Sequence, residues 1–119
     1  MAFVLYKGPR VVKSWPVSIS VAVDGGEVQK NDVFVDLSLL SKADLDKKIA
    51  DLKAAGSLDV DADVLKSIVC GWSGIVNEGG TTVEFSDAAL ADFVVMPNVK
   101  KAVFDAYYCA VGGEAAAKN

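Results

Sequence analysis

The chain has 119 residues, enough for one domain of ordinary size. Hydrophobic residues make up 52% and charged ones 24%, which permits a packed core and excludes wholesale disorder. A net charge of -4 without a dense Lys/Arg patch argues against a nucleic-acid surface, and no run nears the ~20 apolar residues of a membrane span.

Two cysteines, Cys70 and Cys109, lie far apart, and there is no histidine. A mixed Cys/His zinc site, a Cys–His nucleophile and the usual general base near neutral pH are therefore all missing, and buried free thiols are the expectation. Met1-Ala2-Phe3-Val4-Leu5-Tyr6-Lys7 lacks the charged leader and long apolar core of a secretory signal, so a cytoplasmic location is expected.

Residues 1–12, with Gly8-Pro9, read as a loose arm. From Trp15 the pattern changes: Val17, Ile19, Val21 and Val23 alternate with Ser18, Ser20 and Ala22, the period of a strand with one buried face. Asp24-Gly25-Gly26 is a turn, and Val33, Val35 and Leu37 alternate again beyond it, so 15–39 reads as an antiparallel β-hairpin. A lone hairpin is marginal in water, so its apolar face must lie on the segments that follow.

Residues 41–111 read as mainly helical, with about four helices. Ser41 followed by Asp44 marks the first N-terminus; Leu45, Ile49 and Leu52 share a stripe, Asp44 can pair with Lys48, and Gly56 is the stop. Asp59, Asp61 and Asp63 invite a calcium reading, but an EF-hand loop needs a central Gly and a distant Glu that are not placed here. Helix capping by Asp59 or Asp61, with Asp63 in the first turn, accounts for them better. Val64, Leu65, Ile68 and Val69 then form a buried face running into Cys70-Gly71-Trp72-Ser73-Gly74. There Gly71 reads as a helix stop and Trp72 as a core tryptophan pinning the corner. A short β-turn segment follows: Asn77-Glu78-Gly79-Gly80 reverses the chain so that Thr81–Phe85 can pair with Ile75-Val76. Ser86 caps the next helix, and Pro97 ends it and opens the last one.

That last helix, about 98–111, carries two stripes. Val99, Ala102, Val103, Ala106, Tyr107 and Ala110 form one; Phe104, Tyr108 and Val111 form another, rotated well away from it. One stripe suffices to dock a helix on its own domain, so the second fits either burial on both sides or a surface for another protein. Gly112-Gly113 breaks the helix, and 112–119 is expected to be a mobile tail. No GxxxxGK, GxGxxG or GxSxG pattern and no internal repeat occurs.

Two stretches together resemble the tail assembly chaperones of long-tailed (siphophage-type) bacteriophages. One is the hairpin with Trp15-Pro16-Val17 and Asp24-Gly25-Gly26 leading into the Leu45/Ile49 helix. The other is Gly71-Trp72-Ser73-Gly74-Ile75-Val76-Asn77-Glu78 with Val83-Glu84-Phe85-Ser86, then Leu90, Pro97, Val99 and Ala106-Tyr107. The resemblance covers 15–111. It implies a non-enzymatic protein of the bacterial host cytoplasm that keeps the tape-measure protein soluble while the tail tube assembles and is absent from the mature virion. It further implies, as partners, the tail tube protein and a frameshifted longer form of the chain, for which the ending Ala117-Lys118-Asn119 permits an A-rich slippery heptamer. The family brings no catalytic, cofactor or metal residues, and no binding role passes to Trp72 or Phe85.

The expectation is thus an α+β single domain over 1–119 that binds a client through Phe104, Tyr108 and Val111, with Phe93 and Val94 as neighbours. Such a stripe also favours a homo-oligomer at high concentration. The alternative is a small structural tail or head–tail component retained in the virion, joined through a hairpin edge.

Overall fold

The computed structural model describes residues 2, 3, 5 and 8–113. Two long strands, β1 (Arg10–Val23) and β2 (Glu27–Leu39), form the hairpin. They are joined across Asp24-Gly25-Gly26, where both glycines take the positive φ that the reversal requires (86° and 80°). A third strand, β3 (Val69–Ser73), pairs antiparallel with β2, giving the sheet order β1-β2-β3. Four helices complete the fold: α1 (Lys42–Ala54), α2 (Val60–Ile68), α3 (Asp87–Val94) and α4 (Val99–Val111). Helices α2 and α4 pack on the sheet, while α1 and α3 pack against α2. The α+β expectation holds.

The core is one cluster. Val17, Ile19, Val33, Val35 and Leu37 supply the sheet face; Leu45, Val64, Leu65, Ile68, Leu90, Val94, Val99, Val103 and Tyr107 supply the helices. Tyr107 is 1% exposed, and its hydroxyl is satisfied at the end of β2. It accepts from the Leu40 backbone N–H at 3.0 Å and donates to the Leu40 carbonyl at 3.4 Å. The caps follow the sequence. Ser41 accepts from Asp44 N, Asp59 from Ala62 N and Ser86 from Ala89 N, each at 3.1 Å.

Several expectations need correction. Residues 10–12 are not arm but strand: Arg10, Val11 and Val12 pair with Leu39, Ser38 and Leu37. A register shift between Val12 and Trp15, with Ser14 at φ 52°, breaks the alternation and hides this start. The Asp36 carboxylate holds the irregularity by accepting from Ser14 N at 2.9 Å. Gly71 is not a helix stop either. Helix α2 ends at Ile68, and Gly71 sits in β3 opposite Asp36, where a Cβ would stand 2.5 Å from Asp36 Oδ2. Cys70 is exposed rather than buried, because the bulge between the Gly71 and Val69 pairings turns it off the core face. Its thiol meets the Asp36 carbonyl at 3.4 Å, and partial burial, then the Asp36 charge, pushes its pKa up. On α1 the i,i+4 pair is Lys42–Asp46 at 2.9 Å, not Asp44–Lys48. Pro97 lies in the connection, and α4 starts at Val99 behind a left-handed Asn98 (φ 68°). The last six residues of the expected tail, 114–119, fall outside the described residues.

The outer edge of β1 is obstructed. Pro16 has no N–H to offer, and the Ser20 carbonyl, at the same strand period, accepts from Asn98 Nδ2 at 2.9 Å. Among the described residues no helix is long and apolar enough to cross a membrane.

Candidate functional site

The second stripe of α4 stays partly in solvent. Tyr108 is 56% and Val111 47% exposed, and Phe104 is half-buried. The rings of Phe104 and Tyr108 stack at i,i+4 with centroids 6.1 Å apart and planes 20° apart, and Tyr107 meets Tyr108 edge-on at 5.6 Å. The arrangement follows from helix geometry: Val99, Val103 and Tyr107 face the core at four-residue spacing, which turns Phe104 and Tyr108 about 100° away.

On either side of Tyr108 the surface is concave. One hollow of about 250 Å³ is lined by Leu45, Ile49, Asp61, Val64, Phe104 and Tyr108. The other, about 410 Å³, is lined by Leu40, Lys42, Leu45, Asp46, Tyr107, Tyr108 and Val111. Leu45 and Tyr108 wall both, so the two make one trough between α1, α2 and α4. Its charged rim is self-neutralised where Lys42 pairs with Asp46, a contact that raises the Lys42 pKa. The buried Tyr107 hydroxyl at its floor is pushed above the usual phenol range, chiefly by desolvation.

The five expected contact residues therefore do not form one patch. Phe104, Tyr108 and Val111 share the trough. Phe93 lies elsewhere, against Trp72 with ring centroids 5.2 Å apart. Val94 is fully buried and is no contact residue: one position along α3 from Phe93, it faces the core with Leu90. Leu40 and Leu45 line the trough without having been expected there; the Leu45 stripe reads as plain core in sequence, and only its neighbour Tyr108 makes it a wall.

Trp72, expected as a core residue at a helix end, is half-buried and sits in β3. Its Nε1–H donates to the Val83 carbonyl at 2.9 Å, and its ring meets Phe85 edge-on at 5.0 Å. The turn beyond it is closed by the Val76–Thr82 bridge and by Asn77 Oδ1, which accepts from Gly79 N and Thr81 N.

The aspartates at the start of α2 have fold partners. Asp59 caps α2 and pairs with Lys100 on α4 at 2.5 Å, which holds its carboxyl below the usual carboxylate range. Asp63 accepts from Ser57 Oγ at 2.6 Å and pairs with Lys66 at 3.5 Å. Among the described residues no group of three or more His, Cys, Asp or Glu is placed to hold a metal ion.

No protein-family model matches the chain, and no curated protein or solved structure matches it.

Proposed function

We propose that the chain is a tail assembly chaperone of a long-tailed bacteriophage: a non-enzymatic protein that binds the tape-measure protein and keeps it soluble while the tail tube is built. The observation that carries this reading is the trough around Tyr108. A fold this small has core enough for Val99, Val103 and Tyr107, yet leaves a stacked Phe104–Tyr108 pair and Val111 open beside Leu45. Aromatic anchors beside an apolar groove suit the apolar stripe of an amphipathic helix, which is what a long helical client exposes before assembly. In this reading the protein works in the host cytoplasm, alongside tail tube protein and a frameshifted longer form of itself, and leaves before the virion matures.

The alternative, a structural component retained in the particle, draws on the exposed hairpin end at Val21, Val23 and Val28. Pro16 and Asn98 weigh against assembly through the β1 edge. Mass spectrometry of purified virions separates the two, since a chaperone should be missing from them.

The direct test is co-expression of the full chain with a tape-measure protein. Replacing Phe104 by Ser and Tyr108 by Asp should send the client into the pellet while the chain itself stays folded. Tyr108→Asp alone, at a position more than half exposed, should weaken co-purification in the same direction. Undiminished co-purification of both variants, or global unfolding caused by Tyr108→Asp, would refute the assignment.

A further inference from the structure

A second apolar groove lies away from the trough, between the Trp72 corner and α3. Its volume is about 260 Å³, and its walls are Trp72, Ile75, Val76, Val83, Phe93 and Met96, with Ala89 at its side and Asp92 as its charged member. Two of its large apolar side chains face solvent: Val76 and Met96 are each 58% exposed. Large apolar side chains gathered at a concave, adaptable surface mark a docking site more often than a fold requirement.

Charge says what would dock. From Ser67 through Val99 the chain carries Glu78, Glu84, Asp87 and Asp92 and not one Lys or Arg. The groove is built almost wholly from this segment. All four acids are exposed. Lys13, Lys42, Lys66, Lys100 and Lys101 pair with other acids and not with these four. An apolar cleft with Asp92 in its wall, built from a segment that carries acids and no base, complements a partner that is apolar on one side and basic beside it. Two backbone donors of the segment that walls the groove are already used. Val83 N already bonds to the Ile75 carbonyl and Asn77 N to the Thr81 carbonyl. With these donors taken, the exposed apolar side chains of the groove are what a partner meets, which favours a helix over an extended peptide.

We infer that the Trp72–Met96 groove is a second docking site, which takes a basic amphipathic helix of another protein with its apolar stripe on Met96 and Phe93 and a Lys or Arg against Asp92. The site shares no residue with the Tyr108 trough, so it stands or falls independently of the tape-measure reading.

The experiment uses the full chain and two fluorescein-labelled 18-residue helical peptides. Both place Leu at i, i+3, i+4 and i+7 positions; one carries Lys and the other Glu on the polar face. Anisotropy should show the Lys peptide binding about ten-fold or more tighter than the Glu peptide, with the difference shrinking as salt rises. Asp92→Lys should weaken the Lys peptide by about five-fold, the scale of one exposed ion pair. Met96→Ser should weaken both peptides. In ¹⁵N spectra the Trp72 indole signal should shift on titration while the Tyr108 and Val111 amides stay still. Equal affinity for the two peptides, indifference to both substitutions, shifts confined to the Tyr108 trough, or concentration-dependent Trp72 shifts without peptide (a second copy as occupant) would each overturn the inference.

Discussion

Replacing Gly71 by alanine tests how β3 is seated. The new Cβ would stand 2.5 Å from Asp36 Oδ2, a distance real contacts do not reach, so the Asp36 carboxylate must swing away. In doing so it gives up its 2.9 Å bond from Ser14 N, which holds the left-handed residue of the β1 irregularity. A hydrogen bond to a charged group contributes about 1.5–3 kcal/mol. The Lys13–Asp36 pair, 3.7 Å long with Lys13 well exposed, adds little. Against this loss, alanine in a strand interior gains about 0.5–1 kcal/mol over glycine. The net expectation is destabilisation by about 1–2 kcal/mol, read in urea as a fall in midpoint of roughly 0.5–1 M. The decisive measurement is the cycle with Asp36→Ala. With the carboxylate gone nothing remains for the Cβ to strike, so Gly71→Ala should become neutral or slightly stabilising. A Gly71→Ala penalty that persists undiminished in the Asp36→Ala background would refute the close-approach account and return Gly71 to a purely conformational role.

Two further substitutions probe polar contacts between elements. Tyr107→Phe strips the Leu40 N–H of its part-buried acceptor and should cost about 1 kcal/mol, a drop in Tm of about 4 °C by calorimetry. Because the folded Tyr107 pKa is raised above its unfolded value, its contribution is complete below the unfolded pKa and is lost as pH rises toward the folded one. The wild-type chain should therefore lose more stability than Tyr107→Phe between pH 9 and 11, and parallel curves would count against the buried hydroxyl as the cause. Asp59→Asn should keep the cap on Ala62 N but lose the Lys100 pair. Since the Asp59 pKa is lowered, its contribution is present above the unfolded carboxylate pKa and fades as pH falls through the folded one. The variant should thus differ from wild type at pH 7 and converge with it under acid; a gap that stays constant in an acid titration would show that the pair is not its source.

What could be read from the chain alone was what short-range chemistry dictates. Asp24-Gly25-Gly26 fixes the hairpin turn, Ser41, Ser86 and the Asp59/Asp61 pair announce three helix starts, and the Val99/Val103/Tyr107 period identifies the buried side of α4. Hidden were features made by partners distant in sequence. The apolar run Ile68-Val69-Cys70-Gly71-Trp72 continues the pattern of α2, and it becomes a strand only because β2 residues 34–37 receive it. Arg10–Val12 read as arm because the Ser14 irregularity interrupts the two-residue period that would have exposed them. At the trough, Phe104, Tyr108 and Val111 were visible as a surplus stripe. Phe93 and Val94 were grouped with them on hydrophobicity, and tertiary packing sends one to Trp72 and the other inside. The Met96 groove was missed, although the absence of any basic residue from Ser67 through Val99 was there to be counted.

The guarded margin of β1 carries a consequence for how these molecules meet one another. With a proline in the row and an asparagine clamp on the Ser20 carbonyl, a passing copy finds no ready template along β1 on which to extend a ladder. Crowding should therefore bring molecules together elsewhere than along β1, and fibril-like stacking from that margin lacks a first rung.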